Sequence, residues 1–228
     1  MHDLERVAVV GAGRLGTALA AALRSSGLVV DGPLQREETP APGVSVVLLC
    51  VPDQAIGDAA AAIEPGPLVG HCSGATTLGP LGEHRGFSLH PLMTVPAEGG
   101  TDFTGVACAV AGHPVAAALA VRLGMRPIRV EDEDRAAYHA AASMASNFLV
   151  TLENAAERVA ATAGVSRADL LPLVRATVEN WARLGPDALT GPIVRGDEAT
   201  VAKHRQALLE RAPDLLGLYD SMAEVTRR

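Results

Sequence analysis

The chain has 228 residues, with 19 basic and 26 acidic side chains giving a formal net charge of −7. That balance argues against a nucleic-acid or anionic-membrane surface. Only 3% of residues are aromatic, which speaks against stacking of single-stranded nucleic acid. With 48% hydrophobic and 20% charged residues the composition is globular, enough for one to two domains. Lys203 is the only lysine, so chemistry that needs a lysine has one possible residue. Cys50, Cys72 and Cys108 are odd in number and sit in apolar stretches, the pattern of reduced thiols in a cytoplasmic protein. The start, Met1 to Arg6, has neither the basic opening nor the apolar run of a signal peptide. No apolar run approaches the ~20 residues of a membrane span.

Val7 to Val10 is a short β-type run that ends directly in Gly11-Ala12-Gly13-Arg14-Leu15-Gly16. Thr17 to Arg24 reads as a helix, and Leu28-Val29-Val30 opens a second strand. Val44 to Val51 is a continuous apolar run of the kind buried on both faces of a parallel sheet. A helix from Asp53 to Ile63 follows, then strands at Pro67 to His71, Phe87 to His90 and Val106 to Val110. A helix from about Pro114 to Leu123 and a short strand at Ile128 to Val130 complete the alternation, which defines an α/β sheet.

From Asp132 to about Ala163 there is no Gly or Pro, and Ala-rich helical spacing replaces the strand pattern. Ser166 with Asp169 three residues on forms an acidic capping box for a second helix. Asp197 caps a third that ends near Ala212, and Pro213 opens a fourth. The expected architecture is a Rossmann-like, doubly wound, mostly parallel sheet over residues 1–130, followed by a small all-α domain over residues 131–228.

The glycine string stands between a strand and a helix, the context in which GxGxxG carries meaning. Gly11 allows the tight turn, Gly13 lets the backbone approach a diphosphate, and Gly16 lets helix and strand pack closely. Arg14 and Leu15 complete the loop, and the helix start offers unpaired N–H donors to phosphate. The nucleotide is NAD if Asp31 ends the second strand and meets the ribose 2′-hydroxyl. It is NADP if the strand continues through Gly32-Pro33-Leu34, because Arg36 then stands where a 2′-phosphate would lie. The second arrangement is favoured. Val51 and Pro52, and His71, Ser73 and Gly74, follow other strands at the sheet edge where ligands bind in such folds; Val51, Pro52 and Ser73 are expected cofactor contacts.

Polar residues on the Ala-rich helix fall at His139, Ser143 and Asn147, with Arg135 one turn earlier. The i, i+4 spacing drifts by only about 40° per step, so they line one face. That face is either the solvated side of the helix or a catalytic stripe, and the small residues around it favour close packing. His90, at the end of a strand and before Pro91, and His139 are candidate acids, since imidazole can donate a proton near neutral pH. Arg195 is a candidate anchor for a substrate carboxylate, or a surface charge of little consequence. No His, Cys or acid spacing matches a metal site.

Several segments together resemble a known bacterial family: VAVVGAGRLG (7–16), LLCVPDQAI (48–56), HCSGA (71–75), LHPLMT (89–94), YHAAASMASNFLVTL (138–152) and LTGPIVRGDEATVAKH (189–204). That family joins a Rossmann-like NADP-binding domain to a small helical domain of unknown function. Its wider relatives are ketopantoate reductase, pyrroline-5-carboxylate reductase, prephenate dehydrogenase and 6-phosphogluconate dehydrogenase. The resemblance implies a cytoplasmic, NADP-dependent reductase of a small carboxylate substrate, ketopantoate first, forming a homodimer through its helical domain. It also leaves open a cyclic-imine reductase and a non-catalytic NADP-binding sensor. In the ketopantoate and phosphogluconate enzymes a lysine stands four residues before an asparagine on the first long helix of the second domain. Asn147 matches the asparagine, which puts Ser143 in the lysine position, so the proton donor must be another group.

Overall fold

The computed structural model describes residues 6–97 and 100–227. The chain divides into two compact units, Met1–Ala145 and Ser146–Arg228.

The first unit carries strands β1 (Arg6–Val10), β2 (Val29–Leu34), β3 (Val46–Leu49), β4 (Leu68–His71), β5 (Gly86–Pro91), β6 (Ala107–Gly112) and β7 (Arg126–Arg129), with helices α1 (Arg14–Ser25), α2 (Ile56–Ala61), α3 (Val115–Arg122) and α4 (Arg135–Ser143). The sheet order is β2-β1-β3-β4-β5-β6-β7. β1 to β5 run parallel, and β6 is antiparallel to β5 and parallel to β7. Side chains alternate across a strand, and they sort here into two cores. Val7, Val9, Val46 and Leu48 pack with α1 and α3, while Ala8, Val47 and Leu49 pack with Ile56 and Ala60 of α2. All four residues of β3 are buried, as a doubly covered central strand requires.

β2 continues to Leu34, so the longer of the two expected strands is the one formed. Its register against β1 shifts between Ala8 and Val10. The Asp31 carboxylate, mid-strand, accepts the main-chain N–H of Ala41 at 2.6 Å. The strand therefore ends one residue before Gln35-Arg36, and Arg36 is exposed just beyond it.

The boundary expected after residue 130 lies after Ala145. The reason is Arg135, which is buried in the first unit and binds groups on β5 and just after β4. The helix expected from 132 to 163 is also not continuous. A π turn at Met144–Phe148 separates α4 from α5 (Leu149–Ala161). The constant 100° step of an α-helix does not hold through a π turn, so the i+8 argument that put Asn147 on the face of His139 fails there. His139 and Ser143, both within α4, keep their shared face.

The second unit contains α5, α6 (Arg167–Leu184), α7 (Glu198–Arg211) and α8 (Leu216–Thr226). Both expected caps form. Ser166 and Asp169 make the reciprocal capping box of α6, and Asp197 accepts the Thr200 N–H at 3.0 Å. Neither α5 nor α6 contains a buried residue, and Phe148, Leu173 and Trp181 are each more than 60% exposed. Among the described residues no helix is long and apolar enough to cross a membrane.

Candidate active site

The glycine loop lies at the carboxyl end of β1, where the sheet order reverses between β1 and β3. Loops at such a reversal form the ligand crevice of open α/β sheets. Gly11 has φ +109°, and a Cβ there would stand 2.4 Å from the Cys50 carbonyl oxygen. A Cβ on Gly16 would stand 1.9 Å from the Gly11 oxygen. Gly13, in contrast, has nothing within 4 Å of that position. Two of the glycines are thus demanded by packing, while the third faces open space at the N-cap of α1. The first turn of α1 has no acidic side chain to neutralise its free N–H groups. A cleft of about 830 Å³ opens beside the loop, lined by Gly13, Arg14, Thr17, Pro96 and Arg122 among others. Leu15 points away from it into the α1 core. This loop fits a dinucleotide diphosphate: bare backbone donors, no competing anion, and no side chain over Gly13. Arg14 is exposed at its edge.

At the end of the next strands Val51 packs on the α2 core and Pro52 is exposed at the start of a short 3-10 turn. His71 is a structural residue. Its Nδ1 accepts the Ser73 N–H at 3.2 Å, so its Nε2–H donates to the Thr77 carbonyl at 3.1 Å. Burial lowers its pKa, which suits a ring that must stay neutral to make both bonds. Ser73 differs from expectation. Its hydroxyl donates to the Asp53 carboxylate at 2.7 Å and accepts the Thr76 N–H at 2.9 Å. That hydroxyl is consumed in shaping its own loop and the Ser73 N–H is given to His71, which leaves for a cofactor only the second lone pair of a carbonyl that already accepts from Arg135.

His90, at the end of β5, meets α4. Its Nδ1 lies 2.7 Å from the Tyr138 hydroxyl, and its ring centroid is 6.5 Å from that of His139. Gly74 closes the group: a Cβ there would stand 2.9 Å from His90 Cε1 and 3.0 Å from His139 Cδ2. Beneath them Arg135 is 1% exposed. Its guanidinium donates to the Ser73 carbonyl and to Asp132 Oδ1, each at 3.2 Å, and to Ser88 Oγ. Burial above all, then the neighbouring His139 and Arg135, lowers the His90 pKa to about 4. That changes the role open to His90. With the pKa lowered that far the ring is neutral at pH 7 and offers one N–H donor and one acceptor nitrogen, not an imidazolium acid.

The structure thus joins His90, His139 and Ser73 in one unit with Arg135, and places Ser143 half-buried further along α4. Asn147 and Arg195 belong to the second unit, both exposed. Tyr138 escapes sequence reasoning because it sits one residue, about 100°, away from the His139 face. Only the position of β5 shows what it touches.

A parallel sheet, an order reversal and a glycine loop built into that reversal make the first unit a Rossmann-type domain. The chain belongs to the family "Domain of unknown function (DUF2520)", matched over residues 103–226. Comparison with curated protein sequences gives no significant match. Among solved structures it is similar to a Bacteroides fragilis protein provisionally named an NADP oxidoreductase, at 21% identity and TM-score 0.82, covering 98% of each chain. An Aspergillus terreus reductive aminase in complex with NADPH and ethyl levulinate matches at 16% identity and TM-score 0.67, covering 98% of this chain and 95% of that one. A Plasmodium falciparum pyrroline carboxylate reductase with NADP bound matches at 11% identity and TM-score 0.60 over all of both chains.

Proposed function

We infer that this protein is a cytoplasmic NADP-dependent reductase of a small 2-oxo acid, with ketopantoate the first candidate. The observation that carries this reading is the glycine loop, where Gly11 and Gly16 have no room for a side chain and Gly13 faces open space. NADPH, when bound, supplies the hydride. The backbone of Gly11, Gly13, Arg14, Leu15 and Gly16 would hold its diphosphate, Arg36 its 2′-phosphate, and Val51, Pro52 and the second lone pair of the Ser73 carbonyl its inner end. His90 and His139 are the groups that would meet the reacting substrate atom, with Ser143 as a polar contact on the same unit. The likeness to the reductive aminase and the pyrroline carboxylate reductase supports a second reading, reduction of a cyclic imine, and a sensor that binds NADPH without turnover is the third.

NADPH fluorescence on titration, and loss of its absorbance with 2-oxo acids and cyclic imines, separate the three. Binding without turnover across both substrate classes would favour the sensor. Arg36→Ala is expected to weaken NADPH by about 2 kcal/mol, roughly 30-fold, the scale of a charged hydrogen bond. NADH should be almost unaffected. An equal loss for both nucleotides would remove the assignment of Arg36.

The helical unit supports a homodimer. Its α5 and α6 contain no buried residue, and full burial of a large apolar side chain contributes about 1.5–3 kcal/mol. Exposed large apolar side chains such as Leu173 and Trp181 are what a second copy would cover. Light scattering should give twice the 23.4 kDa chain mass, and Leu173→Glu with Trp181→Glu should yield monomers. A monomeric wild type at micromolar concentration would overturn the dimer.

A further inference from the structure

His90 and Tyr138 share a hydrogen that can be placed in two ways. Their separation is 2.7 Å, and the rings stand edge to face at 89°. Both groups are neutral at pH 7, since burial holds the His90 pKa near 4 and pushes that of Tyr138 up to about 12. A phenol O–H is a stronger acid than an imidazole N–H, and an imidazole nitrogen is a stronger base than a phenol oxygen. The bond therefore runs from the Tyr138 hydroxyl to Nδ1, and the ring hydrogen of His90 goes to Nε2. Nε2 makes no hydrogen bond to another described residue. Glycine at position 74 keeps the space at that ring edge open, since a side chain there would begin 3.0 Å from Nε2.

We propose that Tyr138 is a positioning residue which, by donating to Nδ1, fixes His90 as the Nε2–H tautomer, so that the site takes a carbonyl oxygen and not the N–H of a protonated imine. This rests on the reading of the chain as a reductase. The carboxylates close to this group do not offer the opposite polarity: Asp132 is bound by Arg135 and the Leu78 N–H, and Asp53 by Ser73. A protonated imine would need a free acceptor where this site presents a donor.

The same pair completes the reaction in protons. As the substrate oxygen gains negative charge, an O–H bond forms to it while Nε2–H breaks. Nδ1 takes the Tyr138 hydrogen, leaving a phenolate; once the product departs, Nε2 takes a proton from water while Nδ1–H returns to the phenolate, which restores the starting tautomer. The electron pair that forms the new C–H bond is supplied by the reduced nicotinamide nucleotide. An alkoxide is a far stronger base than a phenolate, so the transfer runs downhill.

Long-range proton–nitrogen NMR of the full chain reads the tautomer without turnover, with His90 assigned by the signals lost in His90→Gln. The expected wild-type spectrum has Nε2 protonated and Nδ1 bare. In Tyr138→Phe, Nδ1 loses its donor and the two tautomers should mix. A wild-type His90 protonated at Nδ1, or a tautomer unmoved in Tyr138→Phe, overturns the proposal. Should the variant not fold, the wild-type spectrum alone still decides. With a 2-oxo acid, Tyr138→Phe should lower kcat on the order of 100-fold, leaving KM and NADPH affinity nearly unchanged. Faster wild-type turnover of a matched cyclic imine overturns the carbonyl assignment. If neither class is turned over while Nε2–H is seen, the reductase reading and the substrate assignment fall, and the tautomer lock stands.

Discussion

Replacing Gly16 by alanine is expected to destabilise the protein by about 3 kcal/mol, at the upper end of ordinary overpacking, and to abolish nucleotide binding. Two effects oppose each other at this position. Gly16 lies inside α1, where alanine is intrinsically better than glycine by about 1 kcal/mol. Against this, the added methyl would stand 1.9 Å from the Gly11 carbonyl oxygen and 3.1 Å from Cys50 Cβ. The first neighbour is backbone, so the helix or the whole loop must move, and the steric cost exceeds the propensity gain. Gly13→Ala provides the matching control. Nothing lies within 4 Å of its Cβ position, and its backbone, with φ −73° and ψ 179°, suits any residue. It should unfold at the wild-type midpoint while losing NADPH affinity, because its methyl intrudes only on a bound diphosphate. Thermal unfolding and NADPH titration of the two variants check this. A Gly16→Ala protein with an unshifted midpoint would show that the loop yields easily. A Gly13→Ala protein with full affinity would place the nucleotide elsewhere.

The features legible in the sequence are those set by short-range rules. The apolar run Val44 to Val51, which forms β3 at Val46–Leu49, the glycine string, the Ser166 capping box and the Asp197 cap are each decided by a few neighbouring residues. The second strand was ambiguous between Asp31 and Leu34 because glycine and proline weaken strand patterns, and pairing with β1 settles it. The antiparallel turn of β6 has a cue: among the described residues no helix lies between β5 and β6, and a parallel return needs a crossover. The π turn leaves no trace in composition, since residues 132–163 contain neither Gly nor Pro. The depth of Arg135 is equally hidden. Arginine is among the least buried residue types, and helical spacing gives a direction around the axis without saying what fills it.

Arg135→Ala is expected to cost about 3–5 kcal/mol, from two buried hydrogen-bonding groups left unmet and the cavity that remains. The guanidinium is 1% exposed and uses all three of its nitrogens, on Ser73, Ser88 and Asp132. Its loss strands the fully buried Ser88 hydroxyl and the Ser73 carbonyl, each a group whose unmet hydrogen bond costs about 1–3 kcal/mol. Arg135→Met restores volume without donors and should recover only the cavity share of the loss. Arg135→Lys keeps the charge but brings a compact ammonium in place of a planar fork, so it cannot span three acceptors. Urea midpoints should therefore rank wild type above Lys and Met, with Ala lowest. The network also sets the field around His90, whose pKa is lowered first by burial, then by His139 and by Arg135. In Arg135→Met the His90 pKa should rise from about 4, as followed by NMR titration. If Arg135→Ala were as stable as wild type, the guanidinium would not hold β5 and the loop after β4 together. The placement of α4, and with it the meeting of Tyr138 with His90, would then need another cause.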